Sequence, residues 1–150
     1  MRLLLTLIAT LGLGLAYAGD VVWLETEKFA DRGGWVNDAQ FVDQMGSPFL
    51  LAIGLEGPVA DATTTVSIPT AGSYRLWVRD RDWLPEYSPG RFQIVLGEQT
   101  VSQIFGASKK DGWVWEDGGV VQLQAGPLTV RLHDLTGHYS RCDAIVLASD

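Results

Sequence analysis

Between Ser73 and Arg79, Tyr74, Leu76 and Val78 alternate with Arg75, Trp77 and Arg79. That two-residue period belongs to a strand with one face in a core. Similar runs recur along the chain: Val21 to Glu27, Ala62 to Ile68, Phe92 to Leu96, Thr100 to Phe105, Trp113 to Trp115, Val120 to Leu123, Leu128 to His133 and Cys142 to Ala148. Turn residues separate them, among them Ala71-Gly72, Gly97-Glu98, Glu116-Asp117-Gly118-Gly119 and Gly126-Pro127. Gly97-Glu98 has the glycine-first form of a tight hairpin. No 3.6-residue apolar repeat is sustained beyond residue 18. Eight or nine short antiparallel strands between Gly/Pro turns predict an all-β chain, a jelly-roll β-sandwich. The longest irregular stretches are Asp31 to Ser47, Asp80 to Arg91, Gly106 to Gly112 and Asp134 to Arg141. On a rigid sandwich, such loops are where binding chemistry sits.

The first residues follow a different pattern. Arg2 precedes an almost unbroken apolar run from Leu3 to Leu15, then Ala16-Tyr17-Ala18. A basic start, a short apolar stretch and a small-x-small end describe a secretory signal peptide over residues 1–18. The run is too short to span a bilayer comfortably. Cleavage after Ala18 and a secreted or periplasmic location are expected, with one sandwich domain over residues 19–150 and no membrane insertion of the mature chain. The last strand runs almost to Asp150, which suits either a small complete protein or a fragment of a larger one.

The formal charge is −7, one unit more negative once Arg2 is removed. An acidic surface repels phosphate backbones and argues against nucleic acid as a partner. One cysteine, Cys142, excludes an intrachain disulfide and lies in an apolar strand where it is expected to be buried and inert. Catalytic patterns are weak. His133 and His138 are five apart and make no zinc motif. His133-Asp134 with Ser140 lacks a nucleophile turn. Asp80, Asp82 and Glu86 are acidic residues of the kind any loop offers, and Gly33-Gly34 and Gly118-Gly119 lack the dinucleotide spacing. A noncatalytic chain is expected.

Two positions invite a cation. Glu25 and Glu27, two apart on the first predicted strand, share a face with Trp23. Adjacent carboxylates near a core repel unless neutralised, and calcium is the natural extracellular candidate. Asp143, in phase with Ile145 and Leu147, could add a third carboxylate. The plainer alternative is a solvated edge strand with ordinary glutamates.

The segment Trp23-Leu24-Glu25-Thr26-Glu27-Lys28-Phe29 resembles the E-A-E-x-[FY] opening of carbohydrate-binding module families 6 and 35. Val66-Ser67-Ile68-Pro69-Thr70-Ala71-Gly72-Ser73-Tyr74-Arg75-Leu76-Trp77-Val78-Arg79 is similar to their strand pair around P-x-A-G-x-Y, and Cys142-Asp143-Ala144-Ile145-Val146-Leu147 to their D-x-I-x-L last strand. In order, these segments bracket nearly all of residues 19–150. The resemblance implies a galactose-binding-like jelly roll that binds polysaccharide or glycan. It also implies a structural calcium on Glu25, Glu27 and Asp143. The tryptophan tract and the long loops look, more loosely, like modules that accompany FAD-dependent oxidoreductases or polysaccharide-processing enzymes. A catalytic domain elsewhere is therefore an implied partner, and a structural or interaction sandwich without sugar binding is the alternative function.

In those families sugar binds in the end loops or on a sheet face. The asparagine that serves the loop site falls at Arg141 here, a departure that suits an anionic sugar, because the guanidinium fork matches a planar anion. A salt bridge from Arg141 to Asp134 or Glu116 is the structural alternative. Trp83 and Tyr87 are the first stacking candidates and the in-phase pair Trp113 and Trp115 the next. Trp77 alternates outward and could form a stacking strip on the sheet face or be covered by the long N-terminal loop. His138 and Tyr139, beside Arg141, could hydrogen-bond hydroxyls or simply fold their loop.

Overall fold

The computed structural model describes residues 19–149, so the expected signal peptide lies outside the described residues. Those residues form two antiparallel sheets containing ten strands, the predicted sandwich. The six-stranded sheet contains β1 (Val21–Glu25), β2 (Trp35–Asp38), β3 (Phe49–Ile53), β5 (Gly72–Arg81), β8 (Trp113–Leu123) and β10 (His138–Ser149). The four-stranded sheet contains β4 (Ala62–Ile68), β6 (Phe92–Leu96), β7 (Gln99–Thr100) and β9 (Gly126–Asp134). Its order is β4-β9-β6-β7. No helix among the described residues is long and apolar enough to cross a membrane.

The core lies between the sheets and follows the alternation. Tyr74, Leu76 and Val78 of β5 and Ile145 and Leu147 of β10 are fully buried against Phe92, Ile94, Val130 and Leu132 of the smaller sheet. Trp35 and Phe92 meet edge to face at 5.8 Å. Trp35 is therefore one of the core tryptophans.

Strand β10 carries the architecture. One of its edges pairs with β5 from Cys142 to Ser149. The other pairs with β3 from His138 to Cys142, then with β1 from Ala144 to Ala148. Asp143 is the residue at which one partner is exchanged for the other, and the β5 ladder shifts register at the same place. A strand leaving a sheet orphans carbonyl groups. Here the Thr26 hydroxyl closes the gap, donating between the Cys142 and Asp143 carbonyls at 2.6 and 3.0 Å.

Several predicted boundaries differ, each for a local reason. The first strand ends at Glu25, and Thr26–Lys28 is a single 3-10 turn, so Glu27 is not on the strand with Glu25. The Trp23 and Glu25 face is the outer one, with Leu24 turned to the core. Strands β2 and β3 and a short helix, α1 (Val42–Met45), occupy segments read as irregular or left unassigned. In β3, Phe49 to Ala52 are all buried, so no alternation marks the strand. Glu116-Asp117-Gly118-Gly119 is a bulge within one continuous strand, not a turn. Leu76 pairs with Gly119 and Trp77 with Asp117, leaving Gly118 as the extra residue. Gly119 has φ 83°, and a Cβ on Gly118 would come within 2.6 Å of Leu76 Cδ2. Gly97-Glu98 is the expected two-residue hairpin, but its second strand is only Gln99–Thr100.

Replacing Thr26 by Val keeps the shape and removes the hydroxyl that joins β1 to β10. Urea unfolding should show a loss of about 1–3 kcal/mol with an unchanged slope. A variant as stable as the parent would mean the two carbonyls are satisfied without Thr26.

Candidate functional site

Three regions bring the candidate residues together, and the partner exchange at Asp143 locates the first. Glu25 ends β1, Glu27 lies in the turn that follows, and Asp143 is 2 % exposed beside them. Arg79 reaches Asp143 at 3.5 Å and Ser47 donates to it at 3.4 Å. Burial nevertheless pushes the Asp143 carboxyl up to about 6, with Arg79 opposing and Glu25 and Glu27 adding to the rise. Burial also raises Glu27, and Glu25 adds to it. The three carboxylates are thus near enough to repel one another.

Among the described residues, no three carboxylate, imidazole or thiol groups are already gathered at metal-binding distance. The donor set still fits a hard cation. Glu27 Oε2 is buried without a hydrogen-bond partner, which ordinary folding leaves rare.

The second region is the loop end. Asp134, buried at the end of β9, accepts from the backbone N–H groups of Val59 and Gly137 at 3.0 and 2.9 Å and from the Ser140 hydroxyl at 2.9 Å. This carboxylate folds the turn that presents His138, Tyr139 and Arg141, and Tyr139 adopts a left-handed φ of 63° within it. Trp83 donates its indole N–H to the His138 carbonyl at 2.9 Å, and Tyr139 meets its ring edge to face at 5.3 Å. The Arg141 guanidinium lies 5.5 Å from the Trp83 ring centroid and donates to the Tyr139 carbonyl. Asp134 is committed to its loop, and Arg141 forms no ion pair with it or with Glu116 among the described residues. Burial lowers the Arg141 guanidinium, Arg81 lowers it further, and its Nε is buried without a partner. Of the predicted residues, Trp83, His138, Tyr139 and Arg141 come together here. Tyr87, 63 % exposed, lies in the same loop as Trp83.

The third region is the outer face of the six-stranded sheet. Pairing sets Trp23 beside Val146 and Val146 beside Trp77 across β1, β10 and β5. One row along, Ala144 pairs with Arg79 and Arg79 with Trp115. Val146 floors a groove in which Trp23, Trp77 and Trp115 form the walls. Trp23 and Trp115 meet edge to face at 5.5 Å while remaining 55 % and 39 % exposed. Polar groups rim them: the Trp23 indole donates to Glu25 at 2.7 Å, and Arg75 pairs with Asp117 at 2.7 Å while lying over Trp77. That contact and the Gly119 N–H hold the Asp117 carboxyl below the usual range.

Trp113 and Trp115 do share this face, but the ends of the face differ. Phe41, just before α1, covers one end, lying 6.0 Å from Trp113 and stacked on Arg81 at 4.5 Å. Phe49 meets Trp113 at 4.8 Å. Trp113 is therefore part of that cover, and Trp115 is the exposed member of the pair.

Sequence reasoning did not select Trp23 as a ligand residue, because in sequence it stands beside Glu25 and far from Trp77 and Trp115. The outward phase of β5 was the one available signal. Of the His133-Asp134-Ser140 pattern, only the contact of Ser140 with Asp134 is kept. His133 faces Asp61 at 2.9 Å, away from Asp134. Asp80 and Asp82 are buried, and Cys142 is fully buried with its thiol raised well above the ordinary range, chiefly by burial.

No protein-family model matches the chain, and no curated protein matches it. Solved structures do. A GH26-CBM35 β-(1,4)-mannanase of Podospora anserina superposes with a TM-score of 0.68 at 24% identity, covering 87% of this chain and 28% of that one. A family 35 carbohydrate binding module from Clostridium thermocellum gives 0.67 at 21% identity, over 85% of this chain and 98% of that one. The C-terminal CBM6 of a marine laminarinase from Zobellia galactanivorans gives 0.67 at 16% identity, over 87% and 100%. The chain spans about a quarter of the mannanase and nearly all of each isolated module. At these identities the likeness establishes a shared fold.

Replacing Asp134 by Ala leaves several buried donors unpaired. The expected loss of stability is about 3 kcal/mol or more, with a weakened near-ultraviolet circular dichroism signal from Trp83 and Tyr139. An unaltered thermal midpoint and signal would show that the loop holds its shape without that carboxylate.

Proposed function

We propose that the chain is a secreted, noncatalytic module that binds polysaccharide or glycan on the outer face of its larger sheet. The observation that carries this reading is the convergence of Trp23, Trp77 and Trp115, from three different strands, onto one open groove. A contiguous exposed aromatic patch on a rigid sheet marks a binding surface. Flat rings offer the apolar C–H face of a pyranose a large contact, and Glu25, Arg75 and Asp117 stand at the rim to meet hydroxyl groups. The similar solved modules, whose names state carbohydrate binding, support the same class.

Replacing Trp23, Trp77 or Trp115 singly by Ala should weaken retention on an immobilised glycan about 30-fold, the size of a tryptophan hot spot of about 2 kcal/mol. Thermal stability should change little for exposed Trp23 and Trp115. Screening the parent against a glycan array with calcium present is the first measurement. Complete absence of binding would leave the reading as an interaction sandwich that packs on a partner domain.

A second site at the loop end is favoured by the buried, unpartnered Arg141 Nε. It suits a carboxylated or sulfated sugar, which a guanidinium grips with two parallel hydrogen bonds. Arg141→Lys should lower retention of acidic glycans about tenfold while leaving neutral ones unaffected, since an ammonium cannot reproduce the fork. Equal loss for both would place the effect in loop folding.

Glu25, Glu27 and Asp143 are the residues that would hold a structural calcium, whose role is to neutralise mutually repelling carboxylates and tie β1 to β10. Calcium at a hundredfold excess over its dissociation constant should stabilise the domain by about 2.7 kcal/mol, and Glu27→Gln should abolish that gain. An identical melting curve with calcium and with chelator would remove the ion from the account.

A further inference from the structure

A second acidic group lies inside the sandwich, apart from the candidate binding regions. Asp80, at the end of β5, is completely buried, and Glu116 of β8 faces the same interior. The pairing sets Glu116 opposite Val78 and Val114 opposite Asp80, so the two carboxyls are diagonal neighbours across adjacent strands. Asp80 Oδ2 accepts from the Gly106 N–H, which ties the 101–112 segment to the sheet. Asp80 Oδ1 and Glu116 Oε1 are buried, and neither has a partner when both groups are treated as acceptors. Two orphaned acceptors side by side are satisfied together if one carries a hydrogen, because the protonated carboxyl then donates to the carboxylate.

We propose that Asp80 and Glu116 share one proton in the folded protein and that this proton clamps the 101–112 segment onto the sandwich, so that the domain weakens as the medium becomes alkaline. The surroundings favour the neutral member. Burial, contact with Glu116 and the nearby Asp82 carboxylate push the Asp80 carboxyl up to about 9, with the Gly106 N–H opposing. Just past the end of β5, Asp82 accepts from the Ser88 hydroxyl and the Lys109 N–H. On β10, the Cys142 thiol stands opposite Asp80 and is itself raised by burial and by Asp80. Like charges held this close in a dry site do not both ionise.

The sign follows from proton counting. Unfolded, Asp80 releases its proton near 3.8; folded, the pair keeps one to about 9. This stabilisation is complete below the unfolded value and is lost as pH rises to the folded one. Each pH unit between roughly 5 and 8 should therefore raise the unfolding equilibrium constant about tenfold through this pair.

The test is urea unfolding across that range, in chelator, for the parent, Asp80→Asn and Glu116→Gln. Either amide can donate to the remaining carboxylate, so both variants should lose the tenfold-per-unit slope and outlast the parent at pH 8. The parent's infrared spectrum at neutral pH should contain a protonated-carboxyl carbonyl band that Asp80→Asn removes. A parent lacking that band, or variants keeping the full slope, would overturn the proposal. If both variants failed to fold, the infrared band of the parent alone would decide. A band absent in chelator, with stability restored by calcium in a Glu27→Gln background, would assign the pair to a cation instead and also overturn it.

Discussion

The structure depends on a central strand sharing one edge between two partners. The second half of β10 is hydrogen-bonded on both sides throughout, to β5 and to β1, whereas its first half faces β3. The exchange happens within one residue at Asp143, and backbone groups exposed by it must find other partners. Thr26 supplies the hydroxyl, and the chain turns away immediately afterwards, carrying Glu27 into the gap. Acidic residues from both ends of the chain therefore crowd one junction because the hydrogen-bond pattern brings them there. Their repulsion is the electrostatic cost of that pattern, and a cation is its simplest remedy.

The same strand order divides the molecule into regions with different chemistry. Because β1, β10, β5 and β8 lie side by side, their outward residues form one surface, and Trp23, Trp77 and Trp115 gather on it although they are distant in sequence. The loop before β3 covers one end of that surface through Phe41 and leaves the other open. The loop-end group of Trp83, Tyr139 and Arg141 is more self-contained. Much of its hydrogen-bonding and stacking capacity is already used internally, with the Arg141 Nε as the exception.

Carboxylates serve three different purposes within this acidic chain. Asp134 is buried and fully engaged with N–H and O–H donors, so it organises a loop. Asp143 is buried and only partly compensated, by one cation and one hydroxyl. Asp80 and Glu116 lack such donors for one oxygen each and so call for a proton. The contrast arises from the number of donors that the neighbouring backbone directs at each group.

The sequence by itself determined the fold class, the inward face of β5, the Gly97-Glu98 hairpin and the burial of Cys142. Each depends on local period or turn chemistry that a strand displays whatever surrounds it. It also marked Glu25, Glu27 and Asp143 as a set through their resemblance to a familiar pattern. Strand β3 escaped because a segment buried on both faces has no alternation, and Gly118-Gly119 passed for a turn because a bulge and a turn use the same residue. Only the tertiary structure decided which tryptophans are core, which are cover and which stand open. A ring's exposure is set by strands that pair with its own from far along the chain, and no local spacing encodes that order.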